Sequence, residues 1–479
     1  MIDVIKKRSF ANKPAVFFAA VFLTIPQFLN ADTLKEAMVK AYNSSGLLEQ
    51  NRALLRAADE DVAVAASAMR GVLGWTSNIT SRKTQALSDA GGFGSQKTDT
   101  VANTASVGLT ASITLYDGGR NKYALEAAKE AVLSTRQTLV GVEQQVLLST
   151  VSTYMEVLRS RKTVTLRQNN LRVIKEELRA ARDRFEVGEV TKTDVALAEA
   201  RLAASVSALA VAEGERAQAE ESYKQTVGSS PKGLTAPGRL PKLPNSAAAS
   251  KKSAVQNHPD IIAIQHDIKQ AEYNMKRAEG AYHPTVSLSS SLNYVDEKAD
   301  GFQSSGSRSG AVSLSAEGPI YTGGRLPALL RQATARRDAQ RSVLHLTRLR
   351  LEQEAGSAFA LLQMARSGRE ASEEQIRASR VAFEGVREEA KVGARTTLDV
   401  LNAEQELLDA QAGLISAEAD EQIAAYRLLA QMGKLTVDDL NLPVQKYDPL
   451  EYYNLVKGAP TALSKRGKQL DKVLRAISK

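Results

Sequence analysis

The chain contains no cysteine. Disulfides, thiolate metal sites, cysteine nucleophiles and a lipid carried on an N-terminal cysteine are therefore excluded. Aromatic residues are scarce, at 5% with one tryptophan, and the apolar content comes mainly from alanine, valine and leucine. Such a mixture builds long helices rather than a sandwich. The four histidines, His258, His266, His283 and His345, are scattered without metal-ligand spacing. Nothing in the order of serines, histidines and carboxylates marks a hydrolase, and Gly91-Gly-Phe-Gly94 lacks the Lys-Ser/Thr of a phosphate loop. No cofactor and no enzymatic step are expected.

Long hydrophobic runs are also few. The apolar run Ala15 to Ile25 follows Lys6, Lys7, Arg8 and Lys13 and precedes Pro26 and Ala31, and it falls well short of the ~20 residues a spanning helix needs. Residues 1–31 read as a secretory signal. Beyond it no stretch stays apolar and uncharged for ~18 residues, so entry into a membrane would have to be as strands. Removing the signal's four cations and one acid from the formal +9 leaves +6. Most of that lies after Leu442, where Lys446, Lys457, Lys465, Arg466, Lys468, Lys472, Arg475 and Lys479 outnumber Asp448, Glu451 and Asp471. The body is close to neutral and lacks the basic face that nucleic-acid binding requires. The basic tail, 443–479, suits disorder, anionic lipid or peptidoglycan equally.

What the sequence does hold is a tandem repeat. Tyr116-Asp-Gly-Gly-Arg120 recurs as Tyr321-Thr-Gly-Gly-Arg325, 205 positions on. Val187-Gly188 and Val392-Gly393, Asp194 and Asp399, Ala198-Glu199 and Ala403-Glu404, Leu202 and Leu407, and Gly228 and Gly433 keep the same offset. One inserted residue would rotate every later side chain of a helix by ~100°, so an unbroken register signals a straight rod. Prolines frame the copies: Pro231, Pro237, Pro241 and Pro244 lie between them, while none falls from Gly118 to Gly228. The predicted organisation is a first repeat over 32–230, a linker over 231–250 and a second repeat over 251–442. Each rod is a helical hairpin turning at Gly188 or Gly393, with Thr, Lys and Asp supplying the N-cap chemistry. Heptad-like spacing predicts seams at Leu171, Ile174, Leu178, Ala181 and Phe185 against Val195, Ala198, Leu202, Ser205 and Leu209. In the second copy the seams are Ile376, Ser379, Phe383, Val386 and Ala390 against Val400, Ala403, Leu407, Ala410 and Leu414.

Each copy also carries two segments of period two. Val107, Leu109, Ala111, Ile113 and Leu115 alternate with Ser, Gly and Thr, and their partner lies near Leu73 to Leu87. Val286, Leu288, Ser290, Leu292 and Tyr294 alternate with Ser and Asn, followed by Val312, Leu314 and Ala316. About ten residues suit a tilted membrane strand. Ser88 to Asn103 and Glu297 to Ser309 read as solvent-facing loops. Trp75, Tyr116 and Tyr321 lie at strand ends, where an aromatic girdle or helix-cap packing would use them. Four strands cannot close a barrel, and an open edge in lipid is prohibitive, so the chain must oligomerise. Eight strands leave an interior filled with side chains whereas twelve hold water, which favours a trimer for conduction.

These residues resemble the TolC family of outer-membrane efflux and secretion channels. The resemblance rests on Leu115-Tyr-Asp-Gly-Gly-Arg120 with Ile320-Tyr-Thr-Gly-Gly-Arg325, and on Arg184-Phe-Glu-Val-Gly188 with Val392-Gly-Ala-Arg-Thr-Thr-Leu-Asp399. It implies a mixed fold, a membrane β-barrel continued by a long α-helical coiled-coil barrel, with four strands per protomer completing a twelve-stranded barrel in a homotrimer. Its implied partners are outer-membrane lipid, a periplasmic adaptor, an inner-membrane transporter and exported drugs or polypeptides, with no nucleic acid. Asp399 matches the first constriction aspartate and Asn402 stands where the second would be. Arg395 matches a latch arginine, with Thr193 and Asp194 as its partner segment, and Ala390 replaces the latch tyrosine. The tips Val187, Gly188, Glu189 and Val392, Gly393, Ala394, Arg395 are the exposed irregular backbone an adaptor would meet. On its residues alone Asp399 is either one member of a ring at a tunnel mouth or a solvated first-turn carboxylate. A non-conducting trimeric coiled-coil protein of the cell envelope is the competing reading, and it has no need of the duplicated strand pair.

Overall fold

The computed structural model describes residues 32–89, 95–299 and 305–477. The signal segment and Gly91–Gly94 lie outside them. With no proline except Pro327 in the first turn of α7 and no glycine cap along the way, each rod runs as one helix: α3, Arg120–Glu186, and α7, Arg325–Lys391, have 67 residues each. At ~1.5 Å per residue each is about 100 Å long, some three times a bilayer's hydrocarbon core. Shorter helices lie alongside. Toward the sheet α3 is flanked by α2 (Gly46–Ser67) and α6 (Pro259–Gly280), and α6 in turn by α7. Toward the tips α4 (Lys192–Val227) packs on α3, while α8 (Thr397–Gln431) lies between α3 and α7. The result is a four-helix layer at both levels.

The strands continue that layer. Strands β1 (Val72–Asp89), β2 (Ser95–Tyr116), β3 (Thr285–Ala299) and β4 (Ser305–Glu317) form one antiparallel sheet in chain order. Residues directly opposite one another share a face. Trp75 pairs with Leu109 and Leu109 with Leu292; Ile113 pairs with Leu288 and Leu288 with Leu314. The other face carries Thr76, Gly108, Asn293 and Ser309 in register. One face is apolar across all four strands and the other is small and polar. Trp75, Ile79, Val312 and Leu314 are each two-thirds exposed or more on the apolar face.

The strands exceed the ten residues expected. Most of Ser88 to Asn103 and Glu297 to Ser309, read as loops, is paired strand, with Ser88 opposite Gln96 and Glu297 opposite Ser305. The ladder continues because polar, proline-free backbone keeps pairing past the apolar band, where Lys83 meets Asp99 at 3.4 Å.

Midway along the rods sits the main core. Met38, Tyr42, Leu147, Val151, Tyr154, Tyr223, Leu428 and Leu435 meet there from α1 (Leu34–Ser44), α3, α4, α8 and the segment after α8. The fully buried Tyr154 donates from its hydroxyl to the carbonyls of Asp32 and Thr235, at 2.8 and 2.6 Å. It thereby fastens the interrepeat segment to the rod. A further helix, α5 (Ala247–Asn257), precedes α6, and the basic tail is helical in α9 (Pro449–Val456) and α10 (Lys465–Ile477). Tyr452, Val456 and Leu470 pack there against Ala63 of α2.

The seams follow the sequence reading with two exceptions. Ile174, Leu178, Ala181, Ala198, Ser379, Val400 and Ala410 are buried, but Phe185 is exposed because α3 ends one residue later and no turn lies opposite. A second buried stripe, Leu401, Glu404 and Leu408, lines the side of α8 that meets α3. Helix α4 is long and apolar enough by composition to cross a membrane, with only 11% of that stretch buried. Glu199 and Arg201 interrupt its apolar run, so it is not an uncharged stretch. Its capping and its packing along α3 place it in the rod, with an apolar flank left uncovered.

The two strand-to-helix elbows differ in spite of their shared Gly-Gly-Arg. Gly118 has φ +69°, and a Cβ there would meet the Gly280 carbonyl oxygen at 2.3 Å; Gly323, with φ +59°, has open space around it. Arg120 ties the first elbow to Thr285 of β3 at 2.6 Å. Gly323→Ala should cost about 1 kcal/mol of left-handed strain, while Gly118→Ala, which must also displace α6, should cost clearly more. Thermal unfolding of the two variants in detergent checks the order, and equal costs would contradict it.

Candidate functional site

The rod tips are built by the same local chemistry twice. At the end of α3 the chain reverses at Gly188, whose φ of +79° only glycine holds without strain. The Gly188 and Glu189 amides donate to the Phe185 and Arg184 carbonyls at 3.0 and 2.9 Å. Thr191 then caps α4: its hydroxyl oxygen accepts from the Asp194 amide at 3.3 Å, and the Asp194 carboxylate accepts from the Thr191 amide at 2.9 Å. At the second tip Gly393 has φ +77°, and the Gly393 and Ala394 amides donate to Ala390 and Glu389. Thr396 and Asp399 repeat the box at 3.2 and 2.9 Å.

Asp399 is thus the third residue of α8 and a capping partner. The Thr396 amide, then the Thr396 hydroxyl, stabilise its charged form and hold its pKa below the usual carboxylate range. Asp194 is held low in the same way, the Thr191 hydroxyl contributing most. Both stay ionised at neutral pH. One Asp399 oxygen serves the cap, leaving the other available at the tip.

Arg395 donates to Glu389 at 2.8 Å, a residue of its own hairpin. Among the described residues of the protomer, no hydrogen bond or ion pair joins it to Thr193 or Asp194. Val187 and Val392 are 71% and 81% exposed, and Gly188, Glu189, Gly393 and Ala394 are also exposed. Asn402 accepts from Arg201 of α4 at 3.0 Å and so links the two hairpins. Two more links stand above it: Asn170 of α3 donates to Glu404 of α8 at 3.0 Å, and Lys162 of α3 pairs with Glu418 of α8 at 2.6 Å.

Arg201, Asn170 and Glu404 escaped the sequence reading. The offset of 205 aligns Glu404 with Glu199, and nothing in that alignment says the two make different contacts. Only the packing of α8 between α3 and α7 brings Glu404 to Asn170.

A sheet apolar on one face and polar on the other, standing on a rod of this length, defines a protomer of an outer-membrane channel with a helical tunnel. A family model described as "Outer membrane efflux protein" matches residues 38–229 and 251–434. The outer membrane efflux protein BepC of Brucella suis biovar 1 (strain 1330) is 38% identical over 443 residues, covering 92% of this chain and 94% of BepC. The outer membrane protein TolC of Escherichia coli K12 is 24% identical over 424 residues, covering 86% and 84%. A crystal structure of CusC superimposes with a TM-score of 0.72 at 20% identity, covering 83% of this chain and 91% of CusC. The chain belongs to the outer membrane efflux protein family, of which TolC is a member, and is an outer-membrane efflux channel.

Asn402→Asp would turn the Arg201 link into an ion pair. At so exposed a site the gain should be at most about 1 kcal/mol. It should shrink as salt shortens the screening length. A double-mutant cycle with Arg201→Ala, read by thermal unfolding at low and high salt, measures it; no coupling at low salt would show that the link is absent in solution.

Proposed function

We propose that three copies of this chain close into a twelve-stranded barrel in the outer membrane, continued by a twelve-helix tunnel across the periplasm, and serve as the exit duct of a tripartite efflux pump or a type I secretion system. The observation that carries this reading is the register of the sheet, which lays one apolar and one polar surface side by side across four strands and leaves β1 and β4 each with an unpaired edge. In lipid those edges have no water to bond, so β4 of one protomer pairs with β1 of the next. The uncovered flank of α4 and the exposed Leu346, Leu349 and Met364 of α7 supply the matching helical edges.

The polar sheet face then lines a water-filled lumen, and transport through it needs no bond-making step. Three Asp399 carboxylates, ionised and set one turn above the tips, converge at the periplasmic mouth and favour cations there. Asn402 contributes no charge, so this mouth is less negative than one with two aspartate rings. The exposed tips, with Lys192 beside the first and Arg395 within the second, meet the periplasmic adaptor. No observation favours a stalk without a conduit, which would have no use for an amphipathic sheet.

Chemical cross-linking of purified protein should stop at three chains, and planar-bilayer recordings should show cation-selective conductance. Asp399→Ala should lower the cation preference and weaken block by a trivalent cation added at the tip side. A monodisperse monomer that still forms pores would overturn the architecture, and unchanged selectivity would remove Asp399 from the mouth. Charge reversal of Lys192 and Arg395 together should reduce export without lowering trimer abundance; unchanged export would count against docking at the tips.

A further inference from the structure

Glu404 is a buried acid that neither the barrel nor the tips account for. It is 6% exposed. One carboxylate oxygen accepts from Asn170 Nδ2 at 3.0 Å, and the Asn170 carbonyl oxygen accepts from the Ser205 hydroxyl at 3.3 Å. The other carboxylate oxygen is buried with no hydrogen-bond partner. Such a group is costly to bury charged.

The repeat shows that this burial is not inherent in the hairpin. Glu199, the counterpart of Glu404, is exposed and accepts from Arg182 at 2.6 Å across its own hairpin. The counterpart of Arg182 is Arg387, which is present on α7 yet acts on Glu404 only through its charge, without a hydrogen bond. The second copy keeps both members of the ion pair and does not form it. Its carboxylate is turned instead into the contact between the hairpins, at the level where Arg201 and Asn402 also join them.

We propose that Glu404 is a proton-dependent positioning residue of the channel's periplasmic end: as a neutral acid it lets the second hairpin lie against the first, and as a carboxylate it drives the two apart. The facing groups are Glu177 on α3, Arg201 on α4 and Arg387 on α7. Burial, helped by Glu177, pushes Glu404 up from 4.5 to about 7, against the opposing pull of Asn170, Arg387 and Arg201. When the hairpins part, the carboxyl meets water and returns toward its ordinary value. The joined arrangement therefore holds a proton that the parted one lacks across that interval. Its advantage is complete below about 4.5 and declines about tenfold per pH unit until it is lost as pH rises through about 7. Asp194 and Asp399, held low by their caps, do not titrate in this window.

The mechanism rests on the conduit reading for its consequence, but hairpin contact can be measured without conduction. Because the chain has no native cysteine, Arg201→Cys with Asn402→Cys makes a unique pair whose cross-linking by a short thiol reagent reports that contact in the detergent-solubilised full-length protein. From pH 5.5 to 8.5 the joined-to-parted ratio read from the yield with Glu404 intact should fall roughly thirtyfold relative to the same pair carrying Glu404→Gln, which controls for thiol ionisation. Glu404→Asp should retain a pH dependence. Asn170→Ala, which removes the bond favouring the charged form, should move the midpoint to higher pH, and it carries the test should Glu404→Gln fail to assemble. Identical pH profiles with and without Glu404→Gln, or an unmoved midpoint in Asn170→Ala, would overturn the proposal. Absence of bilayer conductance together with the expected cross-linking would instead refute the conduit reading and leave the proton-dependent contact standing.

Discussion

An unpaired strand edge cannot be left in hydrocarbon, and the rest of this architecture depends on that constraint. Each unbonded backbone group there costs several kcal/mol, since no water replaces the missing partner. A chain that contributes four strands has two such edges, so its sheet is stable in a membrane only when closed by copies of itself. The helical layer beneath obeys the same geometry. Four helices at each level stand below four strands, and the flank of α4 and the outer face of α7 remain apolar where a neighbour completes the ring.

Duplication satisfies this constraint economically, yet the copies have diverged where they meet different surroundings. The elbow at Gly118 is pressed against α6 and tied to β3 by Arg120, whereas the elbow at Gly323 stands in the open. Glu199 forms an ion pair within its hairpin, while Glu404 is turned into the contact between hairpins. The tips, by contrast, remain alike in their glycine reversal and Thr-Asp capping box. Where both copies face water the local chemistry was retained, and where one copy is enclosed the same residue acquired another partner.

The tip carboxylates illustrate how structural and electrostatic roles coincide. Asp399 accepts the cap bonds that define the start of α8, and those bonds keep it ionised. A residue needed to begin a helix is thereby also a dependable negative charge at the end of the rod. Glu404, only five residues on, has the opposite environment: burial disfavours its charge and brings its titration close to neutrality.

Periodicity and the invariant offset of 205 determined most of the fold from the sequence alone. Side chains repeat every two residues in a strand and at 3.6 in a helix, and an unbroken helical rod cannot gain a residue without losing its seam. The helix bounds, the glycine turns, the capping threonines and the amphipathic strands are local properties, and local properties are written in residue order. Strand length was not legible, because polar segments pair or loop according to the strand beside them. Nor could sequence show that Phe185 lies beyond the last turn of the seam. The links Arg201–Asn402 and Asn170–Glu404 join residues more than two hundred positions apart, and they exist because α8 lies between α3 and α7. Tertiary packing alone decided which of two equivalent glutamates is buried, since a side chain's partner across helices depends on which neighbour occupies its other flank.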